Sequence, residues 1–206
     1  MTAIAMAEQE RRQTVTVLFL DIVGFTALVD DLDCAEVRAL QRDYFSIVSE
    51  VVRSGGGVVE KYVGDAVMAV FGTGEDGFGP EAAATAVRVG LSVQEALRGQ
   101  LLAGRFAVRT RAGLATGDVI VDTAAAREFG HGMISGSVVN TAARLQAYAP
   151  HDTVVVCSTT REVTCRVDLG RYYVYPESQI GVHPGLGPVR VAKHTINTSW
   201  SDHEIP

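Results

Sequence analysis

The sequence predicts an α/β sandwich, an α+β arrangement whose sheet is mainly antiparallel and flanked by helices. Two observations carry this: strand-like and helix-like segments are interleaved, and at least two pairs of strands lie too close together for a helical crossover. The run TVTVLFL at 14–20 is short, β-branched and nearly all apolar, the pattern of a central strand covered on both faces, and it ends at Asp21. Across 35–52, Val37, Leu40, Tyr44, Ile47, Val48 and Val51 recur at helical spacing, and SGGG follows as a stop. VVEKYV and AVMAVFG are separated only by Gly64 and Asp65, which predicts a tight hairpin. A second helix of about 20 residues starts at Glu81, with Gly90 marking close packing. FAVRTRAGLATG and DVIVDT read as a further pair of strands around Gly117, and AAAREFGHGMISG as a polar excursion. Helical spacing returns in SVVNTAARLQAYA. A strand at TVVVC, a short helix at STTREVT and late strand pieces at VDLGRYYVY and PVRVAKHT complete the order.

The 206 residues suit one domain, assigned to 14–197, between a flexible lead-in at 1–13 and a tail at 198–206. With 18 Lys and Arg against 24 Asp and Glu the net charge is −6, which argues against a broad nucleic-acid surface but allows a local cationic patch. The most hydrophobic stretch, VTVLFLDIVGF, is interrupted by Asp21 and Gly24, too soon to span a bilayer. The first dozen residues place their charges after a short apolar run, the reverse of a secretory signal, so the expected location is cytoplasmic. Cys34, Cys157 and Cys165 lack metal-type spacing and read as free, buried thiols in a reducing compartment.

Two acids stand out by position. Asp21 closes a buried strand just before VGFT, and no Lys or Arg is near it in sequence; a carboxylate there is costly to desolvate without a positive partner. A divalent metal meets that need, and the acid of a helix N-terminus is the other reading. Asp65 taken alone is a turn residue. Asn140 and Arg144, four apart, share one helical face, and taken alone they are ordinary surface residues.

Read together, FLDIVGFT, then EKYVGDAVMAVFG, then GSVVNTAARL form an ordered set that resembles the class III nucleotidyl cyclases, the adenylate and guanylate cyclase catalytic domain, over roughly 14–164. The resemblance implies a ferredoxin-like core and a head-to-tail homodimer with active sites between protomers. It implies that Asp21 and Asp65 bind two divalent ions, Mg²⁺ or Mn²⁺, with the carbonyl of Ile22 as a further ligand, for in-line attack of the ribose 3′-hydroxyl on the α-phosphate of ATP. The backbone amides of Val23, Gly24 and Phe25 are expected to face the phosphates, with Gly24 allowing close approach. Asn140 is expected to orient the ribose and Arg144 to neutralise the transition state. Lys61 matches the purine-reading position, where lysine suits adenine and guanylate cyclases carry Glu. Lys61, Asn140 and Arg144 of one chain are expected to complete the site of the other.

Some positions depart from the family pattern. Met133 stands at the second base-reading position, where a backbone carbonyl or water replaces the usual acceptor, discrimination is looser, or the side chain packs on the purine. Ser137 replaces a common Asp. Asp118 follows Gly117 where some members place a phosphate-binding Arg, and the late phosphate lysine aligns loosely with His183, a phosphate contact or a loop histidine. His131 reads as a loop residue. These departures keep two alternatives to an active adenylate cyclase open: a weakly active or regulatory nucleotide-binding module, and a cyclase of relaxed purine specificity. Regulatory domains in a longer chain are compatible with either.

Overall fold

The computed structural model describes residues 10–74, 78–122, 128, 134–165, 172–175, 190–194 and 202–204. Strand β1 (Glu10–Ile22) runs through the centre of the sheet. It begins inside the segment read as a lead-in, because residues 10–13 pair with a long partner strand, β4 (Thr110–Asp122), in the register Glu10↔Asp122 to Ile22↔Thr110. Asp118 reinforces that end by accepting from Thr14 Oγ1 at 2.7 Å and pairing with Arg12 Nη2 at 2.7 Å. The Thr14 hydrogen bond and then Arg12 hold its carboxyl below the ordinary range.

The predicted hairpin forms β2 (Val58–Val63) and β3 (Ala66–Phe71), paired antiparallel, with a register shift between Val59 and Lys61. Gly64 in its turn has φ +65°, a conformation in which a side chain is strained. Four further strands follow, β5 (Ile134–Ser135), β6 (Thr153–Cys157), β7 (Tyr172–Tyr175) and β8 (Arg190–His194), and β9 (Asp202–Glu204) ends the series. Among the described residues the sheet order is β2-β3-β1-β4-β6-β7-β8-β9, with β5 on β4. Among the described strands only β4–β6 and β6–β7 are parallel, so the sheet is mainly antiparallel, as the sequence predicts.

The helices are α1 (Phe25–Val29), α2 (Cys34–Ser54), α3 (Pro80–Leu97), α4 (Ser137–Tyr148) and α5 (Ser158–Thr164). Asp33 starts α2 with a reciprocal capping box to Glu36, worth about 1 kcal/mol. Alternation along β1 divides the core. Leu18, Leu20 and Ile22 pack with Leu40, Tyr44 and Val48 of α2 and Val87 and Val93 of α3. On the opposite face Val15 and Val17 pack with Val138, Ala142 and Leu145 of α4. Gly90 admits close packing as expected: a Cβ there would lie 3.3 Å from Val154 Cγ2.

One expectation fails. The two strands proposed around Gly117 are a single strand, β4, with Gly117 in mid-strand opposite Val15. Its bare backbone serves helix packing, since a Cβ would touch Val138 at 3.4 Å. The glycine is a contact surface, not a turn.

Candidate active site

The end of β1 and the turn between β2 and β3 bring Asp21 and Asp65 together. The backbone N–H of Ile22, the residue after Asp21, donates to Asp65 Oδ2 at 3.0 Å, and the two carboxyl groups influence each other's ionisation. Burial, then the hydrogen bond and the charge of Asp21, raise the Asp65 carboxyl to about 7, while the Ile22 N–H pulls it down. Cation binding favours the ionised carboxylate and is expected to lower this pKa.

Sequence reasoning missed three neighbours. Asp21 does have a positive partner: Arg111 sits directly opposite it in the β1–β4 register, with Nη2 and Nε donating to Asp21 Oδ2 at 3.0 and 3.3 Å. The expectation that Asp21 needs a metal for want of a nearby positive side chain is thereby corrected; the partner was hidden 90 residues away along the chain. Gln146 Nε2 of α4 donates to the same oxygen at 3.0 Å. The third neighbour is Tyr44 of α2, whose buried hydroxyl has no hydrogen-bond partner among the described residues. Burial, and then the charges of Asp21 and Asp65, keep that hydroxyl well above its usual pKa.

The remaining predicted residues are spread around this pair. Asn140 and Arg144 lie exposed on α4, opposite to the face that carries Ala142, Leu145 and Gln146. Lys61, half-buried on β2, approaches Glu60 at 3.3 Å. Among the described residues none of these three bonds to either aspartate. The Val23 N–H is committed to the Arg109 carbonyl at 2.8 Å, so this amide is not free to face a phosphate as expected. Gly24 precedes α1 at φ +72° with nothing within 4 Å of a would-be Cβ, so backbone conformation requires the glycine and the space beside it is open. Phe25 packs against the α2–α3 side of the core. Met133, His183 and His131 lie outside the described residues. Of the three thiols only Cys157 is buried; Cys34 and Cys165 are exposed, correcting the expectation for those two. A groove of about 760 Å³ along α2 and β2, lined by Arg38, Arg42, Phe45, Arg53 and Tyr62 among others, includes none of the predicted site residues.

The donor set fits Mg²⁺ or Mn²⁺. Two neighbouring carboxylates offer hard oxygens, and ions of this type leave other positions to water and substrate phosphates. The unpartnered Tyr44 hydroxyl adds a polar atom with capacity for one more hydrogen bond beside the pair. No cluster of three acidic, histidine or cysteine side chains that could hold a metal ion occurs among the described residues.

The raised Asp65 carboxyl has a consequence for stability. Its folded pKa of about 7 lies above the ordinary 3.8, so folding disfavours its ionised form. That contribution is fully present at low pH and is lost as pH rises from about 4 through about 7. In chelator-containing buffer, the melting temperature of Asp65→Asn is expected to overtake that of the unsubstituted chain across this window. Parallel melting curves at pH 5 and pH 8 check it; a constant offset contradicts the raised pKa.

Residues 7–198 match the family described as the adenylate and guanylate cyclase catalytic domain. Adenylate cyclase 1 of Rhizobium meliloti is 32% identical over 164 residues, covering 75% of this chain and 24% of that protein. An uncharacterized protein of Mycobacterium tuberculosis is 34% identical over 147 residues, covering 68% of this chain and 26% of its own length. The chain thus spans about a quarter of the length of these curated relatives. In structure, the adenylyl cyclase CyaB from P. aeruginosa aligns with TM-score 0.70 at 24% identity over 92% of this chain and 97% of that one. The guanylyl cyclase Cya2 aligns with TM-score 0.67 at 25% identity over 94% and 93%. No helix among the described residues is long and apolar enough to cross a membrane. The family match takes in the sheet from β1 to β8 and both carboxylates at its end, and the chain belongs to the adenylate and guanylate cyclase catalytic domain family.

Proposed function

We propose that the chain is an adenylate cyclase, forming 3′,5′-cyclic AMP and pyrophosphate from ATP at sites shared across a head-to-tail homodimer. The observation that carries this reading is the hydrogen bond from the Ile22 N–H to Asp65 Oδ2 at 3.0 Å, which brings Asp65 to the end of β1 beside Asp21 and gathers two hard-oxygen side chains there. Mg²⁺ or Mn²⁺ held by these carboxylates would lower the pKa of the ribose 3′-hydroxyl and offset the triphosphate charge. The 3′-oxygen gives up its proton to solvent and forms its bond to the α-phosphorus as the bond to the pyrophosphate oxygen breaks. Arg144 neutralises the charge that builds on the α-phosphoryl oxygens, and Asn140 orients the ribose. Their exposure on α4, away from the aspartates of the same chain, suits service to a partner's nucleotide. Lys61 favours adenine by donating to its N1, Met133 is the residue at the second base-reading position, and the open space beside Gly24, with the Phe25 backbone amide, receives phosphate. His183 is the remaining candidate phosphate contact. The relatives and neighbours are named for both adenylate and guanylate cyclases, so base choice rests on Lys61.

Turnover assays with ATP and GTP, each with Mg²⁺ and Mn²⁺, test the proposal. ATP is expected to be the better substrate, and Asp65→Ala is expected to abolish cyclic nucleotide formation. Product no greater than that of the Asp65→Ala control defeats the proposal, and faster turnover of GTP defeats the base assignment. A second reading, a nucleotide-binding module with residual activity, draws on Asp118, whose carboxyl is committed to Thr14 and Arg12 where some relatives carry a phosphate-binding arginine. Tight ATP binding without turnover favours it.

A further inference from the structure

Three N–H donors from two different elements converge on one oxygen of Asp21. Arg111 Nε and Nη2 reach Oδ2 from β4 at 3.3 and 3.0 Å, and Gln146 Nε2 reaches it from α4 at 3.0 Å. The third guanidinium nitrogen, Nη1, donates to the Ala147 carbonyl at 3.2 Å, so Arg111 also ties the last turn of α4 to the end of β1. Neither donor is free to wander. Arg111 is fixed opposite Asp21 by strand register, and Gln146 is fixed because α4 lies on the bare backbone of Gly113. The Asp21 side chain is only 16% exposed, so little water competes for these bonds.

We infer that Arg111 and Gln146 are positioning residues of the cation site: they hold Asp21 by Oδ2, fix the plane of its carboxylate and leave Oδ1 for the metal. The inference rests on the two-carboxylate reading of the site given above. Three donors saturate the lone pairs of Oδ2, so a cation meets Asp21 through an oxygen that has no N–H donor among the described residues. Partners of metal-binding carboxylates act in this way, and their loss typically weakens metal binding or activity about 10- to 100-fold. A purely structural ion pair makes a different prediction. Deleting a positive charge beside a cation site removes repulsion and by itself tightens cation binding. Weaker binding after removal of Arg111 therefore reports positioning and not charge.

Mn²⁺ titration of the whole chain, followed by loss of the free-ion electron paramagnetic resonance signal, tests this. The unsubstituted chain is expected to bind Mn²⁺ in a manner that Asp65→Ala removes. Arg111→Ala is expected to weaken binding about 10-fold, Arg111→Lys to recover part of the loss, and Gln146→Met to weaken it by less than Arg111→Ala. Circular dichroism checks that each variant is folded; if Arg111→Ala is not, Gln146→Met, which keeps the ion pair, decides. Folded variants that bind Mn²⁺ as well as the unsubstituted chain, or more tightly, overturn the inference while leaving the two-carboxylate site intact. Absence of Asp65-dependent Mn²⁺ binding in the unsubstituted chain overturns the site itself, and this inference with it.

Discussion

Arg144→Ala is expected to lower cyclic AMP formation by about 1000-fold or more, the range in which arginines that neutralise a transferring phosphoryl group act. The fold should be unaffected, because Arg144 is exposed on α4 and the core contacts of that helix are made by Val138, Ala142 and Leu145. Asp21→Ala should be equally inactive for a separate reason, the loss of a cation ligand. The informative experiment mixes the two inactive chains. In a heterodimer one site carries both defects and the other carries neither, so random pairing should return about a quarter of the unsubstituted activity. Cyclic AMP measured after co-refolding or co-expression, with heterodimers verified by two affinity tags, reads the result. Verified heterodimers without activity would place Asp21 and Arg144 in the service of the same nucleotide within one chain, against the shared-site reading.

The residues whose placement the sequence made legible are those fixed by local spacing. Asp21 at the end of an apolar run, Asp65 in a two-residue turn and the helical phase of Asn140 and Arg144 all follow from spacing within a dozen residues, and β2, β3 and α4 stand where that spacing puts them. What escaped depends on register between distant segments. Arg111 becomes the partner of Asp21 only when β4 lies antiparallel to β1, and Gln146 joins them only when α4 crosses that pair. Tyr44 was read as one apolar position of a helix, which it is; nothing in its spacing reveals that its hydroxyl ends unpartnered beside two carboxylates. Gly117 misled for a related reason. Glycine in a β-rich stretch signals either a turn or a close approach, and only the tertiary contact with Val138 distinguishes them. A signal was nonetheless present: Gly113, Ala115 and Gly117 alternate, which marks one face of a single strand kept small to receive a helix.

That small-residue face makes Gly113 the position where fold and site are most tightly joined. A Cβ on Gly113 would lie 2.1 Å from the Gln146 backbone nitrogen and 2.5 Å from the Ala142 carbonyl oxygen. Both obstacles are helix backbone, so no rotamer change relieves the clash, and α4 must shift outward as a body. Overpacking a well-filled core costs typically about 1–3 kcal/mol, and the upper end is expected here because backbone has to move. For a domain of this size that corresponds to a fall in melting temperature of roughly 10 °C for Gly113→Ala. Gly117→Ala is the matched control, since its Cβ would meet only the Val138 side chain at 3.4 Å, and it should change the melting temperature by far less. The displaced helix carries Gln146 away from Asp21 on one face and Asn140 and Arg144 out of position on the other. Gly113→Ala should therefore lose cyclase turnover even well below its melting temperature, where Gly117→Ala retains it. Equal melting temperatures for the two variants would show that α4 does not rest on Gly113 as closely as these distances require.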